Sequence, residues 1–326
     1  MIRRRNIMVT GSSGTVGTAL VKQLMADGHR VIPVDIRPCL WDCQIDRRTK
    51  RWDLRKPLRA ANIGQQPDMI IHLAANARVH DLVVKPQLAL DNYLMVHHIL
   101  EYVRQRGVKQ VLFSSSREVY GESKPNVKRR ELDTHVSKIK APYTASKFAA
   151  EALIHAYAEC YDIKPVVARL SNVYGRYDVS ERVVPVFLYY ALRNMPINVF
   201  GREKKLDFTY IDDCVDGLVR IVDRFDRVAG MTFNLSRGKG ERLLDLARMI
   251  VMHLGSKSEI CVGDKRVGEI SSFVGDLTLA RKYLGYRPTM TLKESIGPSA
   301  EWYRQAMRDR RAYESQRRNL KRRGWL

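Results

Sequence analysis

Short apolar runs alternate with longer amphipathic stretches through the first half of the chain. IMVTG, RVIPVDI, MIIHLAA, QVLFSSS and PVVARLSNVYG are each strand-sized and carry little polar alternation. A strand that is apolar on both faces is one covered on both faces, the condition of a buried parallel sheet. Between these runs the spacing predicts helices from about Gly14 to Asp27, from about Pro86 to Arg106 and from Tyr143 to about Tyr161. Strands and helices in regular alternation predict an α/β fold with a doubly wound parallel sheet.

After Gly175 the alternation loosens. Loops carrying Pro185, Pro196 and Gly201 join shorter elements, and PTMTLKESIG followed by EWYRQAMRDRRAYES predicts closing helices. This half is expected to form a smaller region over the sheet. IDDCVDGLVRIVDRF has the look of another sheet-covering helix, so the two regions are expected to interleave. The expected division is 1–175 for the sheet domain and 176–303 for the second region, with about 207–235 returning to the sheet. A basic tail, 304–326, completes the chain.

Composition changes this picture in three places. No apolar run reaches the roughly 18 residues that a membrane-spanning helix needs, and MIRRRNIMVTG reads as a first strand starting at once, not as a signal peptide. The five cysteines are odd in number and scattered without zinc-type spacing, which predicts thiols in a reducing cytoplasm and no metal. The formal charge of +22 is concentrated partly at the two ends. Such ends can touch nucleic acid, but no nucleic-acid motif accompanies them, and a solvated tail is favoured over that role.

The first strand runs into GSSGTVG and then a helix. Glycines at 11, 14 and 17 allow a tight turn whose backbone N–H groups can meet a pyrophosphate at a helix N-terminus. Asp35 ends the second strand, where a carboxylate accepts hydrogen bonds from both ribose hydroxyls and repels a 2′-phosphate. NAD is therefore expected over NADP, with Arg37 as the nearby complication. The sheet is thus of the Rossmann type.

GSSGTVG, HLAANARV, LFSSSREVYG, PYTASK and RLSNVYG follow one another in this chain in an order and spacing that resembles the extended short-chain dehydrogenase/reductase family. These are NAD-dependent nucleotide-sugar epimerases and dehydratases, UDP-glucose 4-epimerase being the best-known type. The likeness runs from Ile7 to about Trp302. It implies cofactor contacts from Gly11, Ser13, Gly14, Thr15, Val16 and Gly17, and from Asp35, Asp53 and Leu54. Leu73, Ala74, Ala75, Asn92 and Ser114 would line the rest of the cofactor path. Ser116, Tyr143 and Lys147 match the catalytic hydroxyl, tyrosine and lysine, and Asn172 matches a residue on the bound nucleotide sugar.

The residues themselves support part of this. On a helix, positions four apart share a face, so the Tyr143 hydroxyl and the Lys147 ammonium are expected to approach one point. A free phenol ionises near pH ~10; a neighbouring ammonium favours the phenolate, which can take a proton from a sugar hydroxyl. Ser116, ending its strand, can bond that same hydroxyl.

Ser116-Arg117-Glu118 is the departure. The family's 4,6-dehydratases carry hydroxyl-Asp-Glu here, the acid protonating the leaving hydroxyl. Guanidinium stays protonated and cannot do this. The leading reading is 4-epimerisation, with Glu118 either structural or tuning the pocket. Three others stand beside it: a variant dehydratase with Glu118 as base; a uronate decarboxylase or epimerase with Arg117 on a substrate carboxylate; or Arg117 and Glu118 pairing with each other away from the ligand. On the substrate side, KKLDFTYIDD has Leu206 where the family has a phosphate-binding arginine. Lys204 or Lys205 is expected to compensate, with Arg266 and Val184 as further substrate contacts and Arg182 as a solvated side chain. The resemblance also implies a homodimer and a cytoplasmic nucleotide-diphosphate-sugar enzyme with no membrane. A different class remains: an RNA-binding or assembly protein that keeps only the fold, for which decay of the glycine turn or the Tyr-Lys pair would be the mark.

Overall fold

The computed structural model describes residues 4–124, 127–264 and 270–309, together with Glu314 and Arg318. Seven parallel strands form the main sheet. Across it they run Thr232–Leu235, Lys164–Leu170, Gln110–Ser116, Met69–His72, Asn6–Thr10, Arg30–Asp35 and Lys50–Arg51. The strand order reverses direction beside Asn6–Thr10, and a ligand crevice opens at such a point, at the strands' C-terminal ends.

Successive residues of a strand face opposite ways, and this divides the apolar runs between two cores. Ile7, Val9, Ile71 and Leu112 pack on one face with Leu20 and Leu24 of the helix Thr15–Ala26 and Leu218 and Val222 of the helix Ile211–Asp223. Met8, Ile70 and Val111 pack on the other with Ile99 and Val103 of the helix Gln87–Arg106. That helix lies against the helix Pro142–Tyr161, which opens on Pro142. Proline suits a first turn because its missing N–H has no intrahelical partner to lose.

A second sheet carries the rest. In it Lys205–Tyr210 pairs parallel with Asn172–Tyr174 and Ser272–Gly275, and antiparallel with Gly240–Arg242. PVVARLSNVYG is therefore two strands in two sheets and not one. The break falls at Ser171, whose N–H still bonds Leu235 of the main sheet while its hydroxyl donates to the Asp207 carbonyl at 2.6 Å. The closing segment is likewise one helix, Leu292–Arg308, running through Pro298. Its Thr291–Glu294 capping box satisfies two N-terminal N–H groups. Asp207 anchors the second sheet: fully buried, it accepts backbone N–H bonds from Arg237, Gly238 and Gly275. Burial pushes its carboxyl up to about 6 against those bonds.

Candidate active site

A cleft of about 1070 Å³ opens at the C-terminal ends of the main-sheet strands, walled on its far side by the second region. One end is the glycine turn. Gly11 has φ +70°, and a Cβ there would lie 2.7 Å from the Ala74 backbone nitrogen. A Cβ on Gly17 would overlap the Gly11 carbonyl. The turn is thus shaped so that bare backbone approaches whatever fills the cleft. Gly14 caps the following helix without a side-chain bond, leaving its first-turn N–H groups as the donors for an anion. Asp35 lines the same end, its carboxylate fastened by the Ser13 and Arg37 N–H groups at 2.9 and 2.8 Å. This set, an N–H cradle with a carboxylate at the same end of the cleft, fits NAD.

Of the residues selected from the sequence, Gly14, Thr15, Val16, Asp53, Leu54, Leu73, Ala74, Ala75, Ser114, Asn172 and Val184 also line the cleft. Three do not. Ser13 turns its hydroxyl to the Arg37 carbonyl. Asn92 is buried and clamps Asn76 from both sides, at 2.7 and 3.1 Å, while reaching Ser146 of the Tyr143 helix at 3.2 Å. It positions the cofactor-side loop and does not face the cleft. Lys205 points away because it alternates with Leu206, which faces in; its stem packs at the Gly240 position instead. Lys204, one residue earlier, does line the cleft. Arg266 lies outside the described residues.

At the other end Ser116, Arg117, Glu118, Tyr143 and Lys147 converge, all at least nine-tenths buried. Burial raises the Tyr143 phenol; a bond from the Ser116 hydroxyl and the charges of Arg182 and Arg117 act the opposite way, and Glu118 adds to the rise. Tyr143 and Lys147 line the same cleft, as the shared helix face suggests. The Lys147 ammonium donates to the Ser114 carbonyl at 2.8 Å and lies over the Phe113 ring. Burial brings that ammonium down to about 8. Its charge, after burial itself, also keeps His72 neutral, down to about 3, with His72 Nδ1 and the Thr10 hydroxyl 2.7 Å apart.

Arg117 and Glu118 do pair, Nη2 to Oε1 at 2.8 Å. They do so inside the cleft wall, not away from it. Among the wall residues that the sequence did not point to, Arg78 and Glu181 join at 2.8 Å. No local spacing announces a pair so far apart in the chain. Arg182 is exposed, as expected of a solvated side chain, and it also lines the cleft from the start of the helix Val183–Ala191. Among the described residues no group of His, Cys, Asp or Glu could hold a metal ion, and no helix is long and apolar enough to cross a membrane.

The model of the NAD-dependent epimerase/dehydratase family matches residues 7–236. An uncharacterised UDP-glucose epimerase of Bacillus subtilis is 28% identical over 305 residues, covering 89% of this chain and 95% of that protein. UDP-glucuronic acid decarboxylase 1 of Xenopus tropicalis is also 28% identical, over 93% of this chain and 73% of its own length. Among solved structures, UDP-glucose 4-epimerase of Thermotoga maritima, determined with UDP-glucose, superposes with a TM-score of 0.85 at 28% identity. It covers 93% of this chain and 99% of that one.

Proposed function

The chain belongs to the NAD-dependent epimerase/dehydratase family, and within it we propose a nucleotide-sugar 4-epimerase. The observation that carries this reading is the Arg117–Glu118 ion pair beside Ser116 and Tyr143. Elimination of water needs a proton donor and a base of its own next to the sugar. Here the first position is a guanidinium, which gives up no proton at ordinary pH, and the second is engaged by it. What is left is the hydroxyl, phenol and ammonium set, which suffices for oxidation and reduction at one carbon. The likeness to UDP-glucose epimerases supports the same choice.

Gly11, Gly14 and the N–H groups after them would hold the cofactor's pyrophosphate, Asp35 its ribose, and Lys147 the end nearest the sugar. NAD, when bound, supplies a reversible hydride acceptor. Tyr143, as phenolate, takes the proton from the C4 hydroxyl at its phenolic oxygen and later returns it, while Ser116 holds that hydroxyl in line. The buried position of both oxygens keeps water from competing for the proton. Leu206 and Phe208 present an apolar wall against which a keto sugar can turn without losing a fixed hydrogen bond. Lys204 and Arg182 are the cleft cations placed for the diphosphate, replacing the arginine that Leu206 displaces. The paired helices Gln87–Arg106 and Pro142–Tyr161 would form the contact of a homodimer.

Incubation with NAD and a panel of UDP-linked hexoses and uronates should give a product of unchanged mass with C4 inverted, read by mass and by proton coupling constants. A product lighter by water would replace this reading with dehydration, and one lighter by carbon dioxide with decarboxylation.

The base works only when ionised, so turnover should rise with pH as the phenol deprotonates. Arg182 favours the phenolate, so Arg182→Gln should move the rising limb of the kcat–pH profile to higher pH. A limb that does not move would remove Arg182 from the electrostatics of the base.

A further inference from the structure

Arg117 makes less use of its guanidinium than its burial demands. It lies on the short helical turn Arg117–Tyr120 that follows the strand ending in Ser116, and it is 9% exposed. Nη2 is committed to Glu118, and the guanidinium carbon sits 5.7 Å from the centroid of the buried Phe273 ring. Nη1 is buried and meets no acceptor among the described residues. A buried charged donor without a partner is unfavourable, and a half-satisfied polar network is stable only when another group completes it.

The group that completes it has a definable chemistry. Guanidinium is a planar fork of donors with no acceptor, matched by an anion that offers two coplanar oxygens. A neutral sugar hydroxyl brings one oxygen, no charge, and a proton that the fork cannot accept. The position of the fork is equally informative. It follows Ser116 directly, and Ser116, Arg117 and Tyr143 line the same cleft, so the anion belongs to the ring on which Tyr143 acts and not to a distant part of the ligand. Glu118 and Phe273 hold the guanidinium from one edge and one face, leaving little freedom to be lost on binding. Arg182, in the same cleft, offsets the second negative charge that an anionic sugar brings near Glu118.

We propose that the sugar taken by this cleft carries a carboxylate, a nucleotide-linked uronate, and that Arg117 recognises that carboxylate while Glu118 orients the guanidinium. This rests on the reading that Tyr143 acts at C4 of a nucleotide sugar, and it narrows that reading to one substrate class.

The test uses the NAD-loaded Tyr143→Phe protein, in which binding is measured without turnover, with UDP-glucuronate and UDP-glucose as the two probes. UDP-glucuronate should bind tighter by about 10- to 100-fold, the worth of a charged hydrogen-bonded contact. Adding Arg117→Met should bring the two dissociation constants together, and adding Arg117→Lys, which keeps the charge but not the fork, should leave an intermediate ratio. A melting temperature close to that of the parent identifies Arg117→Met as folded; if it is not, the Lys variant alone decides. Equal affinities in the parent, a preference for UDP-glucose, binding of neither probe, or a preference unchanged by both Arg117 substitutions would each overturn the proposal. C4 turnover by the unsubstituted protein is scored separately. Its absence together with a clear uronate preference would sink the epimerase reading and leave carboxylate recognition standing.

Discussion

Tyr143→Phe should lower turnover by roughly 10³-fold, within the range of about 10²–10⁴ that a positioned general base contributes. The substitution removes one oxygen and nothing else. Tyr143 is 6% exposed and packed at the start of a twenty-residue helix, so the ring keeps its place and the fold has no reason to change. The lost atom is the one whose ionisation Ser116, Arg182 and Arg117 favour. Binding of NAD should be nearly unaffected, because the glycine turn, Asp35 and the Lys147–Ser114 bond do not depend on the phenol. Single-turnover kinetics, with a cofactor titration and a thermal melt on the same preparation, check all three statements. Turnover within tenfold of the parent would place the base elsewhere, and Glu118 would become the candidate.

Glu151→Ala should destabilise the protein by about 3–5 kcal/mol, the cost of stranding one member of a buried ion pair. Arg169 lies on the strand Lys164–Leu170, 5% exposed, and donates to both oxygens of Glu151 at 3.0 and 2.6 Å. Its remaining amino group bonds the Glu131 carbonyl at 2.6 Å and the Tyr120 hydroxyl at 3.0 Å. Without Glu151 that guanidinium is left charged and buried, without the carboxylate that offsets it. The melting temperature should fall by roughly 10 °C, allowing about 2–4 °C per kcal/mol for a chain of this size. The double change Glu151→Leu with Arg169→Met should recover much of the loss, because two matched apolar groups avoid desolvating a charge. If Glu151→Ala melts within about 2 °C of the parent, the pair is not the tie it is taken to be. Activity should fall too. Glu151 is on the helix that carries Tyr143 and Lys147, and Tyr120 ends the turn that carries Arg117 and Glu118. The network therefore fixes the two halves of the site against each other.

Some of this site is local chemistry and was legible in the residues. A strand, three spaced glycines and a helix define a phosphate-facing turn with little help from the rest of the chain, since the constraint is steric and acts over a few residues. Arg117 announces the absence of a proton donor by its chemical type alone. Other features depend on directions that spacing does not carry. Tyr143 and Lys147 share a helix face, yet a lysine has four flexible bonds, and it was the Ser114 carbonyl and the Phe113 ring that chose where its ammonium went. Adjacent residues in a strand point opposite ways; Arg117 and Glu118 meet because the chain leaves the strand at Ser116 and turns helically there. The strand rule did hold for Lys205 and Leu206, and it turned the lysine out of the cleft.

The order of apolar runs and amphipathic helices, with the three spaced glycines, determined a parallel α/β sheet and its dinucleotide turn, while the family came from the resemblance of the motifs. Those outcomes rest on period, steric allowance and residue type, which are properties of short stretches. Only the tertiary structure decided that Arg78 meets Glu181, that Arg182 lines the same cleft as the phenol, and that one nitrogen of Arg117 is buried without an acceptor among the described residues. Each of these joins separate elements or depends on what surrounds a side chain. Burial and long-range packing set such electrostatics, and neither quantity exists until the sheets have closed around the cleft.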